Sequence, residues 1–318
     1  MTAPLARPEE PLSLPAPTRL DEVKGWFWPA DQILFDWFLS RQNTSPSGGG
    51  DLLELGAYMG KSAIFLGGYL KEGEEFTVCD LFDSPAEDAS NDGEMRRSYA
   101  TLTRRAFEAN YRAFHDELPT VVQAVTAVLP DRVRPASCRF VHVDASHLYA
   151  HVRTDVETSR LLAAPGAVVV FDDFRAEHCP GVAAAVWGAV DARRLHVLCI
   201  TQHKMYATWD DPEPLRTELA AFLTAREDLW HGVEEVAGAP LIRITGRKAV
   251  PPPHPRSRYE TTSPGPGPAP APAPAPEQAP GPAAVPSGNT PTRRGRLTRR
   301  LGKRLLPPAL ARTLRHWR

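Results

Sequence analysis

The sequence is poor in cysteine, and its four cysteines, Cys79, Cys138, Cys179 and Cys199, form no CxxC pair. That spacing speaks against a zinc ribbon or a thioredoxin-type centre. Three of the four sit in or beside apolar runs that read as strands, so buried free thiols in a reducing compartment are expected. No apolar run approaches the ~18–20 residues that span a bilayer. The opening stretch MTAPLARPEEPLSLPAP has no apolar h-region, so no secretory signal is expected and the cytoplasm is the expected compartment. A dinucleotide-type G-x-G-x-x-G is absent, as is a Tyr-x-x-x-Lys pair, which disfavours a nicotinamide-dependent oxidoreductase.

Proline, by contrast, is abundant and unevenly placed. Of 33 prolines among 318 residues, 15 fall between Pro251 and Pro291. The net charge of −1 also hides a split. Residues 293–318 carry ten Arg or Lys and no acid, residues 251–292 balance, and the first 250 residues sum to −11. Four parts are expected: a disordered Pro-rich N-terminus (1–20), a globular domain (21–248), a Pro/Ala-rich extended linker (249–292) and a basic amphipathic helical tail (293–318). In the tail Leu297, Leu301 and Leu305 recur at i+4.

Within the globular part, short apolar runs alternate with helical periodicity. Strands are predicted near 51–55, 75–81, 138–143, 167–171, 195–200 and 204–209, and helices near 29–41, 60–70, 96–114, 149–163, 180–192 and 213–227. A last strand near Pro240–Thr245 is expected to close one edge. The alternation implies a Rossmann-like, doubly wound α/β fold: a mostly parallel sheet with helices on both faces and a C-terminal antiparallel strand.

Three segments carry candidate chemistry. DLLELGAYMGKSA (51–63) ends an apolar strand at Glu54 and opens a helix through Gly56 and Gly60, whose freedom at positive φ permits a tight turn against a ligand. Alone, such a turn is only a turn. The pattern here is E-x-G-x-x-x-G, and an acid before the turn suits a cationic or amino-bearing ligand better than a phosphate. S-adenosylmethionine (SAM) carries both a sulfonium and an amino group. Asp80 ends the next strand, where a carboxylate can accept hydrogen bonds from ribose hydroxyls. FVHVDASHLY (140–149) and VVVFDDF (168–174) then place Asp144, Asp172 and Asp173 at neighbouring strand ends. Three converging carboxylates without a counter-ion would repel one another, and a hard divalent cation such as Mg²⁺ would remove that penalty.

LELGAYMGKSA closely resembles the first SAM motif of catechol O-methyltransferase. The segment DASHLYAHVRTDVETSRLLAAPGAVVVFDDF is closer still to the corresponding stretch of bacterial class I, macrocin-type O-methyltransferases. The resemblance spans roughly residues 24–210. It implies that Glu54, Gly56, Tyr58, Gly60 and Ser62 form the cofactor site, that Asp80 holds the ribose, and that Asp144, Asp172 and Asp173 ligate Mg²⁺. Two positions depart from the catechol pattern: His147 stands where that family has a lysine base, and Asp173 where it has an asparagine. His147 is therefore either the proton acceptor or a residue that packs against the cofactor or hydrogen-bonds the backbone.

The expected activity is Mg²⁺-assisted methylation of a hydroxyl on a small-molecule acceptor such as a sugar, phenol or polyketide. A metal-independent methyltransferase and a catalytically silent SAM-fold module are the alternatives. Trp26 and Trp28 are candidates for stacking on adenine or substrate, or for anchoring the first helix. Arg175 and His178 lie where substrate could pass, and Asn91–Arg97 belongs to an insertion that could form a lid. Residues 293–318 are expected to dock at an anionic membrane surface, placing the chain at the inner membrane face, or on a partner protein. Nucleic acid is disfavoured for want of a reading motif, and self-association is left open.

Overall fold

In the computed structural model, residues 15–46, 48–85, 102–192 and 194–260 are described. Nine strands form one sheet: β1 (Asp51–Leu55), β2 (Phe76–Asp80), β3 (Thr120–Gln123), β4 (Cys138–Val143), β5 (Ala163–Phe171), β6 (His196–Ile200), β7 (Met205–Thr208), β8 (Trp230–Val236) and β9 (Ala239–Thr245). Their order is β3-β2-β1-β4-β5-β7-β6-β9-β8. The pairs from β3 through β5 are all parallel. Strand β7 is antiparallel to both β5 and β6. The order reverses between β1 and β4, which opens a crevice beyond their carboxyl ends.

Alternating residues along the strands face two separate cores. Leu52, Phe140, Val168 and Val170 pack on one side, with α1 (Pro29–Thr44), α2 (Lys61–Gly67), α3 (Arg104–Arg112) and α6 (Glu213–Thr224). Leu53, Leu55, Val141, Val143, Val169 and Phe171 pack on the other, with α4 (Tyr149–Leu162) and α5 (Pro180–Asp191). Burial on both faces is why these strands read as continuous apolar runs rather than as alternation. Helix starts follow local chemistry. Pro29 and Pro180 sit in first turns, where their missing N–H costs nothing, and Thr103 accepts from the Ala106 amide at 3.1 Å to cap α3.

Two strands escape the sequence pattern. β3 is four residues long and only half-buried. β8 (WHGVEEV) carries a glycine and two glutamates and is held by seven paired positions on β9. The expected last strand is therefore β9, and β8 lies outside it at the edge. Of the expected helix over 96–114, Arg104–Arg112 is helical as α3, with extended Thr103 as its N-cap, and residues 96–101 lie outside the described part.

The packed chain also passes the expected boundaries at 21 and 248. Ser257 Oγ donates to the Pro17 carbonyl at 2.7 Å, the Arg258 amide to the Ala113 carbonyl at 2.8 Å, and His254 Nε2 lies 2.7 Å from Gln32 Oε1. These polar contacts anchor the first residues of the Pro-rich stretch on the domain. The described residues all fall in one unit, Met1–Ser263; the other unit, Pro264–Arg318, with most of the expected linker and all of the tail, lies outside them, as do residues 1–14. Among the described residues no helix is long and apolar enough to cross a membrane, and the four cysteines are free and buried.

At the entry of β4, Arg139 is nearly buried and binds Glu74 through Nη2 (2.8 Å) and Nε (3.1 Å), the Tyr69 and Gly50 carbonyls (2.9 Å each) and Gln42 (3.1 Å). It ties α1, the exit of α2 and the starts of two strands. Arg139→Met should destabilise the domain by about 3–5 kcal/mol, because it strands the Glu74 carboxylate. Urea unfolding measures this, and adding Glu74→Gln should recover part of the loss.

Candidate active site

The loop joining β1 to α2 is set by backbone geometry. Gly56, Tyr58 and Gly60 have φ of 78°, 48° and 93°. A Cβ on Gly56 would lie 2.0 Å from the Asp144 carbonyl oxygen, so only glycine lets the loop press against the end of β4. Asp80 braces the loop from β2. Its Oδ2 accepts from the amides of Ala57 (2.7 Å) and Tyr58 (3.0 Å), and its Oδ1 from that of Phe82 (2.7 Å). Burial pushes the Asp80 carboxyl above its usual range, and the three amides oppose that rise. Gly56, Tyr58, Ser62 and Asp80 all line a cleft of about 960 Å³, while Gly60 shapes the start of α2 without lining it.

Glu54 does not reach this cleft, and its expected contact with the cofactor is corrected here. It is fully buried beneath the loop, with Oε1 2.7 Å from His142 Nδ1. Burial raises its carboxyl to about 8, with the Ser62 hydroxyl pulling the other way. On the far side of the ring, Lys204 Nζ donates to His142 Nε2 at 2.9 Å and also to Asp172 Oδ2. An ammonium has only protons to give, so His142 Nε2 accepts and the ring proton sits on Nδ1, pointing at Glu54. Burial and the lysine charge hold His142 well below its ordinary value.

Lys204 also corrects the expectation of a cluster without a counter-ion. Burial opposes its charge, but Asp172, Asp144 and Asp31 outweigh this and raise its proton affinity. No local pattern marks it, since a single lysine ahead of a short strand looks like any surface residue. Asp31, on α1, was likewise missed. It is fully buried, bonded to Thr201 Oγ1 (2.8 Å) and Tyr206 Oη (2.9 Å), and raised by burial to about 6.

Asp144, His147 and Asp173 do come together facing the cleft, their ligand-type atoms within 4.8 Å of one another. His147 Nε2 lies 3.5 Å from Asp173 Oδ2. Burial and then the neighbouring Asp172 charge raise Asp144 well above, and Asp173 above, the usual carboxylate range. Asp172 also lines the cleft, but its carboxylate is engaged: Oδ2 meets Lys204, and Oδ1 accepts from the Asp173 amide at 2.8 Å. At the mouth, Trp26 (65% exposed) stacks on Tyr58 at 5.9 Å, and Trp28 (46% exposed) stacks on His203 at 4.6 Å. Arg175 and His178 line the same cleft. Asn91–Arg97 lies outside the described residues.

These buried acids set the sign of the pH dependence of stability. The folded value of Glu54, about 8, lies above its ordinary 4.5, and that of Asp31, about 6, above 3.8. The folded chain therefore keeps protons that the unfolded chain releases, and stability falls as pH rises through about 4 to 8. Glu54→Gln, which keeps an acceptor for His142, should flatten the upper half of that fall in urea midpoints measured across pH.

Residues 53–174 match the family model described as a methyltransferase domain. A search of curated proteins finds no match. Solved structures similar to the chain include the O-methyltransferase NovP (18% identity, 57% of this chain and 79% of that one, TM-score 0.45). A TDP-rhamnose 3′-O-methyltransferase of calicheamicin biosynthesis gives 17% identity, 57% and 80% coverage and a TM-score of 0.38. The O-methyltransferase TomG from Streptomyces achromogenes, in complex with SAM, gives 18%, 67% and 75%, and 0.30. The matched segment, 53–174, holds the glycine loop and the strands at which the order reverses, and over that segment the chain is similar to a methyltransferase domain.

Proposed function

We propose that the domain transfers a methyl group from SAM to a hydroxyl of a small-molecule acceptor. One observation carries this reading: a single cleft is lined at once by the Asp80-braced glycine loop and by Asp144, His147 and Asp173. Its volume lies at the upper end of the ~300–1,000 Å³ usual for ligand pockets, which leaves room for a cofactor and an acceptor together.

Tyr58, Ser62 and the remaining lone pair of Asp80 would hold SAM, with Leu81, Leu102 and Val125 offering an apolar wall to a flat base. When bound, SAM supplies an electrophilic methyl on a sulfonium. His147 would take the acceptor's hydroxyl proton on its ring, and Asp173 beside it would orient the imidazole and stabilise the cation formed. Trp26 and Trp28 flank the mouth and would limit water around the reacting groups. Asp144 and Asp173 offer hard oxygen donors that fit Mg²⁺, whose chemistry when bound is to lower the acceptor hydroxyl's pKa. Lys204 favours a second reading, transfer without a metal, because it already supplies a positive charge beside these carboxylates.

Calorimetric titration with SAM should show binding, and its absence would overturn the proposal. Against a panel of sugar, phenol and polyketide acceptors, His147→Ala should lower kcat by about 10²–10⁴-fold while leaving SAM affinity unchanged. Loss of turnover in EDTA, restored by Mg²⁺, supports the metal-assisted form, and full turnover in EDTA the metal-free one.

The ten basic residues of 293–318 favour an anionic lipid surface. Vesicles containing phosphatidylserine should sediment the full chain and leave a chain ending at residue 292 in solution.

A further inference from the structure

Two sets of ligand-type side chains lie back to back at the carboxyl ends of β4 and β5, sharing Asp144. The outer set is Asp144, His147 and Asp173; the inner set is His142, Asp144 and Asp172, again with ligand atoms within 4.8 Å of one another. The outer set faces the cleft. The inner set encloses the Lys204 ammonium, which is 2.9 Å from His142 Nε2 and in contact with Asp172 Oδ2. Lys204 is 1% exposed, and its nitrogen lies 5.9 and 6.0 Å from the ring centroids of Phe27 and Phe35. Water is therefore kept from the ammonium, and the two aromatic faces favour a cation there.

We propose that Lys204 is the resident cation of the inner cluster, where it excludes a divalent ion and positions the residues of both halves of the cleft. On one side it fixes Asp172, whose Oδ1 takes the Asp173 amide and so sets Asp173 beside His147. Asp173 is held at φ 53°, a conformation that needs such support. On the other side Lys204 fixes His142, which holds Glu54 beneath the cofactor loop. A lysine differs from a metal ion here in being covalently retained, so this part of the site has its charge with or without added salts. Any divalent ion is left the outer set, where it would meet Asp144 and Asp173 from the cleft side.

The test uses ion binding and stability, so it is independent of whether methyl transfer is the reaction. Lys204→Met removes the charge at similar volume, and Lys204→Arg keeps a cation. Equilibrium dialysis with Co²⁺ should find one more ion per chain in Lys204→Met than in wild type. Visible absorption of that extra ion should disappear in Lys204→Met/His142→Gln. Lys204→Arg should match wild-type stoichiometry. Lys204→Met should also melt lower than wild type, with Co²⁺ restoring the loss. Equal Co²⁺ stoichiometry in wild type and Lys204→Met would overturn the proposal, as would a Lys204→Met chain that Co²⁺ fails to stabilise or to fold.

Discussion

Five carboxylates, those of Asp31, Glu54, Asp144, Asp172 and Asp173, feel the charge of one buried ammonium, that of Lys204. They come from α1, β1 and the ends of β4 and β5, so a single side chain at the start of β7 links the layers that meet beneath the cleft. An uncompensated charge in that position would be expelled or neutralised. The lysine stays charged because several acids converge on it, and four of those acids, Asp31, Glu54, Asp144 and Asp173, hold protons more tightly than usual because burial disfavours their charged form more than the lysine favours it. The arrangement is mutually dependent: removing either sign leaves the other buried without a partner.

Topology brings this network to a useful place. Reversal of strand order separates the crossover after β1 from that after β4, and the glycine loop comes within van der Waals distance of the Asp144 carbonyl. Asp80 braces that loop through Oδ2 while its Oδ1 takes the Phe82 amide, so it preorganises this side of the cleft before any ligand arrives. On the other side Asp173 and His147 are paired in the cleft. The two halves are thus built separately and joined underneath through Glu54, His142, Lys204 and Asp172.

The strands that carry the site were legible because they are buried on both faces. Runs such as VVVF and FVHV can be little else, and their last residues fall where the crevice opens. The strand-end positions of Asp80, Asp144 and Asp173 could therefore be read from local sequence, while His147 was singled out by the family resemblance. Glu54 could not be placed correctly: its position before a glycine turn looks the same whether the side chain points at a ligand or into the core. Lys204 and Asp31 were invisible for a different reason. Their role exists only through partners many residues away in the chain, and no local periodicity encodes it. The edge strand β8 was missed because its stability comes from pairing with β9, not from apolar content.

The buried acids also explain why the surrounding core must be strong. A carboxyl whose folded pKa is raised takes stability away at neutral pH, and Glu54, Asp144 and Asp173 all do so. Two apolar cores, one on each face of the sheet, offset that loss; each large buried side chain contributes about 1.5–3 kcal/mol. Sites that concentrate like charge are commonly less stable than the fold could otherwise be. Here the strain is localised at the carboxyl ends of β1, β4 and β5, and the opposite ends of β1 and β4 are closed by the satisfied Arg139–Glu74 pair. The sheet is firm at the end that no ligand approaches and electrostatically loaded at the end that faces the cleft.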